Sequence, residues 1–215
     1  MSAIVVHGLE RRFGTSRVLT GVDLHVDAGQ HIAITGPNGS GKTTLLRVIA
    51  GLLRPTSGNV EILGGSTSDP AIRRRIGFVA HTPALYPRMT VMENLRFWAR
   101  LYDAGDITDR GRELVRAVGL DPASKTPVGA YSQGMRQRAA VARALATDPQ
   151  LVIADEPLAA LDAEGAAAVG ALLSRCPTVV VATHDLSSAE AASRFELRHG
   201  TLLPVGLRQP SDSPG

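Results

Sequence analysis

The chain has 215 residues, 44% of them hydrophobic, enough for one domain with a proper core, which excludes a disordered or fibrous class. Lys and Arg number 23 against 20 for Asp and Glu, and so small and scattered an excess argues against nucleic acid as a partner. The single cysteine excludes an internal disulfide framework, and no run approaches the ~18 apolar residues of a membrane span.

In chain order, Ile4 to Leu9 reads as a strand and Val18 to Val26 as a second, with apolar and polar residues roughly alternating. Asp27-Ala28-Gly29 turns into the apolar strand Ile32 to Thr35. A glycine-rich loop then opens a helix near Lys42 that closes at Gly51. Pro55 to Gly58 is a turn before the strand Asn59 to Leu63. Arg73-Arg74-Arg75 reads as a solvated helical turn ahead of the strand Ile76 to Ala80. From Thr82 to Asp148 helical patterns dominate, at Val91 to Leu101, Thr108 to Val118 and Ser132 to Ala146. Strands return at Leu151 to Ala154 and Thr178 to Thr183, separated by a helix from Ala163 to Ser174. A helical stretch near Ser187 to Ala192, a hairpin turning at His199-Gly200, and a loose tail over 204–215 complete the chain. Strands alternating with helices predict an α/β fold with a mostly parallel sheet, into which residues 82–148 are inserted as a helical subdomain. One domain, 1–203, is expected.

The segment Gly36-Pro37-Asn38-Gly39-Ser40-Gly41-Lys42-Thr43 matches G-x-x-x-x-G-K-[ST] in full. A phosphate chain must lie against several backbone N–H groups at once, and side chains at Gly36, Gly39 and Gly41 would block that approach. The helix beginning near Lys42 directs its unpaired N–H groups and positive dipole end at the same anion. Lys42 is expected to neutralise β- and γ-phosphate oxygens and Thr43 to ligate Mg²⁺, with Asn38, Ser40 and Thr44 completing the ATP contacts.

Leu151-Val152-Ile153-Ala154-Asp155-Glu156 is an apolar strand ending in two acids. Ligands of open α/β sheets sit at the carboxyl ends of strands, which places both acids beside the phosphate loop. Successive strand residues point opposite ways, so the two acids are free for two jobs. Asp155 is expected to hold Mg²⁺ through water, and Glu156 to act as base on the water attacking the γ-phosphate.

Tyr131-Ser132-Gln133-Gly134-Met135, followed by Arg136-Gln137-Arg138, resembles the signature motif of ABC transporter ATPases and falls upstream of the acidic strand, as in that family. Its Gly-Met ending resembles an exporter-branch variant. Ala160-Leu161-Asp162 resembles the family's D-loop, and Thr183-His184-Asp185 its switch-histidine segment, with His184 expected to donate to the γ-phosphate. Phe13 stands where the family keeps a ring that stacks on adenine. The resemblance covers about residues 3 to 203, with the motifs in family order. It implies a P-loop (RecA-like) core with an N-terminal antiparallel β part. It also implies an ATPase that packs head to tail with a second ATPase subunit, identical or homologous. In such a dimer Ser132, Gln133, Gly134, Met135 and Asp162 serve the nucleotide of the other subunit. An integral membrane subunit is the implied partner, with this chain peripheral on the cytoplasmic face of the cell membrane and not itself inserted.

Most family members carry Gln after the strand that here ends at Val79-Ala80; this chain has His81. A neutral imidazole can ligate a metal or bond a water, so His81 joins Thr43 and Asp155 as a metal-site residue. The substitution resembles the haem exporter ATPase of cytochrome c maturation, and the Gly-Met signature is shared with multidrug-like exporters; both export readings stay open. Nothing shows haem binding by this chain: C-x-x-C-H is absent, and His7, His25, His31 and His199 read as solvated or strand residues. Cys176, before Pro177, reads as a small apolar residue. A soluble ABC-type repair or translation ATPase is disfavoured by the single cassette without a heptad stretch. A regulator without turnover is disfavoured by the intact Lys42, Asp155, Glu156 and His184.

Overall fold

A computed structural model describes residues 1–184 and 193–205. Its elements run β1 (Ser2–Phe13), β2 (Ser16–Asp27), β3 (His31–Thr35), α1 (Lys42–Ile49), β4 (Ser57–Ile62), α2 (Pro70–Arg73) and β5 (Ile76–Val79). There follow α3 (Val91–Leu101), α4 (Thr108–Ala117), α5 (Gln133–Leu145), β6 (Leu151–Asp155), α6 (Ala163–Leu173), β7 (Thr178–Ala182), β8 (Ser193–Arg198) and β9 (Thr201–Val205). The predicted helix near Ser187 to Ala192 lies outside the described residues. Pro204 and Val205, assigned to a tail from the sequence, pair within the β8–β9 hairpin instead.

Two sheets form. One is antiparallel, in the order β2-β1-β4; the other has six strands in the order β5-β6-β7-β3-β8-β9, parallel except for β9. The mixed P-loop α/β class expected from the sequence is the class found. β1 extends well past Leu9 because pairing with β2 continues through Arg11, Arg12 and Phe13 to the hairpin tip. Those polar positions carry no apolar alternation, so only the partner strand reveals them.

Strands β3, β6 and β7 of the six-stranded sheet are buried on both faces, which explains their continuous apolar runs. Alternate residues of β6 show it: Leu151 and Ile153 join the cluster around α1 and the antiparallel sheet, while Val152 and Ala154 join the cluster around α3 to α6. The helices α3, α4 and α5 lie between β5 and β6 in sequence but share this second cluster with Val79, Val152 and Val169. Of the three, α5 packs against β5 of the sheet, and α3 and α4 pack on α5 and on each other.

Helix starts follow local capping chemistry. Thr90 and Glu93 form a reciprocal capping box at α3. Ser132 accepts from the Met135 N–H at α5, and Asp162 from the Gly165 N–H at α6. Two helices lack a side-chain cap: α4, which follows Ile107 but has Asp109 in its first turn, and α1, whose N-cap is Gly41 and whose first turn has no acid. The N–H groups of α1 are left for something else. Among the described residues no helix is long and apolar enough to cross a membrane.

Candidate functional site

Strand β3 lies between β7 and β8, and the glycine-rich loop leaves its carboxyl end. Gly36 has φ 144°, and a Cβ there would overlap the Leu197 carbonyl oxygen of β8. Gly41 has φ 106°, and a Cβ would come within 3.1 Å of the Val18 carbonyl oxygen. Both positions combine a left-handed backbone with close approach, so glycine is required there on two counts. The loop thus wraps between β2 and β8.

A cavity of about 440 Å³ opens at this end of the sheet. It is lined by Asn38, Gly39, Gly41, Lys42, Thr43 and Thr44 from the loop and α1, by Asp155 and Glu156 from β6, and by His81 and His184 from the ends of β5 and β7. Lys42, only 7% exposed, donates from Nζ to the Gly36 and Pro37 carbonyls at 2.7 and 3.1 Å. The cation is thereby bent back over its own loop. Ser40 Oγ is buried without a hydrogen-bond partner, an orphan polar atom inside the loop.

Thr43 Oγ1 donates to Asp155 Oδ2 at 2.7 Å, joining α1 to β6. The alternation of β6 explains the contact: Asp155 continues the face of Leu151 and Ile153, which packs on α1. The chain then turns at Glu156, whose φ of 51° lies in the left-handed region that a residue with a Cβ seldom adopts. Its N–H donates to the Ala182 carbonyl at 2.9 Å, and its carboxylate faces His184, with Nδ1 3.0 Å from each oxygen. Glu156 is 12% exposed at the side chain and His184 68%, so the acid is enclosed and the imidazole stands at the rim. The two adjacent acids therefore line one cavity with separate partners, Thr43 for Asp155 and His184 for Glu156.

Hard oxygen donors suit Mg²⁺, and Thr43 Oγ1 with Asp155 Oδ2 supplies two of them side by side. Among the described residues no three His, Cys, Asp or Glu side chains cluster to hold a metal unaided. His81 borders the cavity but is exposed, and its nitrogen is a softer ligand.

Phe13, 47% exposed at the hairpin tip, does not line the cavity; its ring lies under the Arg11 guanidinium at 4.4 Å. Ser132, Gln133, Gly134, Met135 and Asp162 also lie outside it. Ser132 and Gln133 are exposed at the start of α5, so this stretch presents an open helix N-terminus to solvent. Gly134 has a local reason: a Cβ would approach the Ala160 carbonyl to 2.9 Å.

Sequence reasoning passed over Val18, which borders the cavity from β2. It also passed over Gln137, 4% exposed, whose amide nitrogen is 3.4 Å from the Pro157 carbonyl oxygen and steadies the turn after Glu156. A signal for Gln137 existed: a polar residue on the stripe that continues through Ala140, Val141 and Ala144, all buried.

The loop after His81 is ordered by Asn94 of α3, which is fully buried. Its Oδ1 accepts from the Tyr86 N–H at 2.7 Å, and its Nδ2 donates to the Tyr86 and Thr90 carbonyls at 3.2 and 3.0 Å. The Tyr86 ring is 43% exposed and packs edge-on to Phe97 at 4.6 Å between centroids. Leu85 packs against the second core cluster.

Comparison with known proteins places this geometry. Residues 19–159 match the ABC transporter family. The chain is 36% identical over 223 residues to a probable sulfate/thiosulfate import ATP-binding protein of Chlorella vulgaris, covering 99% of this chain and 94% of that protein. It is 40% identical to an Fe(3+) ions import ATP-binding protein of Mesorhizobium japonicum, covering 96% of this chain but only 61% of that longer protein. Among solved structures it resembles a dimeric ATP-binding cassette in a post-hydrolysis state bound to ADP and Pi, with TM-score 0.86 and 30% identity over 96% of this chain and 99% of that one. The chain belongs to the ABC transporter ATP-binding family, and it is an ATP-binding ATPase. The export reading, and haem export for cytochrome c maturation with it, is overturned, since these relatives are named for import. It rested on His81 and the Gly-Met ending, a few positions set against a similarity that runs along nearly the whole chain.

Proposed function

We propose that this ABC family ATPase binds MgATP in the cavity between the Gly36–Thr44 loop and the Asp155-Glu156 turn, and that two ATPase subunits share each nucleotide. Lys42 and the α1 N–H groups hold the phosphates, and Phe13 carries the adenine. Thr43 and Asp155 hold the metal, with His81 at its edge. When bound, the ion neutralises charge on the phosphate oxygens. Glu156, enclosed and tied to a histidine at the rim, takes the proton of the attacking water, and His184 faces the γ-phosphate.

The start of α5 takes no part in the chain's own cavity and is exposed, so it is suited to cover the phosphates bound by a second subunit. Ser132 to Met135 offers helix N–H groups and a hydroxyl outside the chain's own cavity, with Asp162 two residues past Ala160, whose carbonyl lies against Gly134. A head-to-tail pair, of two copies or of two homologous subunits, brings that surface onto the partner's nucleotide and closes two equivalent sites. The dimeric state of the similar cassette supports this reading. Closure driven by ATP and reopening after hydrolysis provide the differential contact that moves a membrane subunit, against whose cytoplasmic face the chain lies. The relatives' names differ in cargo but agree on import, so the proposal extends to the direction and leaves the cargo to the membrane partner.

The observation that carries the reading is the 2.7 Å contact of Thr43 with Asp155 beside the Lys42 loop, with Glu156 lining the same cavity. It is tested by phosphate release with Mg²⁺ present and after chelation. Hydrolysis should require the metal, and Asp155→Asn should abolish it; turnover unchanged by both would reject the assignment.

A further inference from the structure

Strand β1 ends in Arg11-Arg12-Phe13 at the tip of a hairpin whose other strand carries Val18 to the rim of the nucleotide cavity. The two arginines are held differently. Arg12 Nη2 donates to Glu10 Oε2 at 3.0 Å, so its charge is balanced on its own strand. Arg11 is not ion-paired to a carboxylate among the described residues. Its Nη1 donates to the Arg54 carbonyl at 3.0 Å and its guanidinium carbon stands 4.4 Å from the centre of the Phe13 ring, while its Nε, like that of Arg12, is buried without a partner.

Positions 11 and 13 are two apart on β1, next to an irregularity in its register with β2, and the bond of Arg11 to the Arg54 carbonyl holds the guanidinium over the ring. A guanidinium tethered to the loop after α1 covers one face of the phenyl ring. The ring is nevertheless 47% exposed, so the surface still open is its other face and its edge. An exposed Phe at a hairpin tip, unsupported, would swing freely about χ1 and bind a base at the entropic cost of ordering it.

We infer that Arg11 is a positioning residue for base binding: it backs the Phe13 ring, fixes its plane, and leaves one face free for a nucleobase. The inference rests on the proposed role of Phe13. A cation behind a ring and a base before it form a stack whose strength depends on the π-face and not on hydrogen-bonding edges. The platform therefore contributes affinity without base selectivity, and ATP and GTP gain from it alike.

The test compares wild type, Arg11→Ala, Arg11→Met, Phe13→Ala and the Arg11→Ala/Phe13→Ala pair. Dissociation constants are measured for ATP, GTP and inorganic tripolyphosphate, with steady-state kinetics alongside. Arg11→Ala and Arg11→Met should each weaken ATP and GTP about three-fold, the scale of an exposed cation–π contact. KM should rise by the same factor, with kcat at saturation and tripolyphosphate binding retained. In the Phe13→Ala background, Arg11→Ala should add nothing. Equal loss of tripolyphosphate affinity would mean that Arg11 acts on phosphate charge or on folding, and would overturn the inference. So would unchanged ATP affinity in the Arg11 variants while Phe13→Ala weakens it. If Phe13→Ala itself leaves ATP binding unchanged, the base-stacking role of Phe13 falls and the inference falls with it.

Discussion

His184 Nδ1 lies 3.0 Å from both carboxylate oxygens of Glu156, so the two side chains at the carboxyl ends of β6 and β7 form one unit at the mouth of the nucleotide cavity. The imidazole is mostly exposed and the carboxylate mostly enclosed, so the histidine is the part free to meet an incoming γ-phosphate. His184→Ala is expected to keep ATP binding and to lower turnover by about 10²-fold, the scale for losing one transition-state donor. Because the pair acts together, His184→Ala added to Glu156→Gln should cost far less than the product of the single effects. Rapid-quench rates of the four proteins check this; full multiplicativity would mean that the two residues act separately.

Assembly follows from where the start of α5 faces. Glu156→Gln protein should be mainly monomeric without nucleotide and dimeric with ATP, since the nucleotide supplies much of the proposed interface. Ser132→Arg should abolish the ATP-dependent dimer while leaving ATP binding to the monomer. Light scattering showing one mass with and without ATP would contradict the shared-site proposal.

The loop after His81 divides into a core part and an open part. Leu85 packs on the cluster that contains Val91 and Leu95, so Leu85→Asp buries a charge and should destabilise the fold by about 3 kcal/mol. Tyr86 presents an open ring on a backbone fixed by Asn94, the pairing of rigidity and aromatic surface that suits a docking site for the membrane subunit. Tyr86→Asp should keep basal ATPase activity and lose coupling to the partner. Normal transport in reconstituted Tyr86→Asp complex would place docking elsewhere.

Arg143 of α5 tests the tie between the helical layer and the sheet. Its guanidinium is buried, donates to the Phe78 carbonyl at 2.6 Å, and stacks on Trp98 at 4.7 Å. Burial pulls its pKa down to about 10, so at neutral pH it remains charged and held by these contacts. Arg143→Ala leaves the Phe78 carbonyl unpaired and opens a void, and should cost about 3 kcal/mol in chemical denaturation. A loss below about 1 kcal/mol would show the contacts to be incidental.

Much of this was legible in the sequence because the chemistry demands particular residue types at fixed spacing. The run from Gly36 to Thr43 needs glycines for backbone reasons, and φ of 144° and 106° at Gly36 and Gly41 supplies them. The strand and its two acids followed from an apolar run of the length of β6. The pairing of Thr43 with Asp155 was implied only by placing both at one end of the sheet. What stayed hidden depends on contacts distant in sequence. From the sequence the first strand ends at Leu9, and only the pairing of β1 with β2 carries it through Arg11 and Arg12 to Phe13. Gln137 looked like part of a polar triplet, yet its amide lies inside, beneath the Glu156 turn. The direction of transport was misjudged because His81 and Met135 are single side chains, whereas the relatives share the whole cassette.

The central claim is that Glu156 draws the proton from the water that attacks the γ-phosphate bound over Lys42. Single-turnover hydrolysis of γ-labelled ATP by Glu156→Gln and Lys42→Ala, with nucleotide affinity measured on the same samples, tests it directly. Glu156→Gln should bind ATP as tightly as wild type and cleave it roughly 10²-fold more slowly or worse, whereas Lys42→Ala should lose affinity itself. Undiminished cleavage by Glu156→Gln would contradict the account.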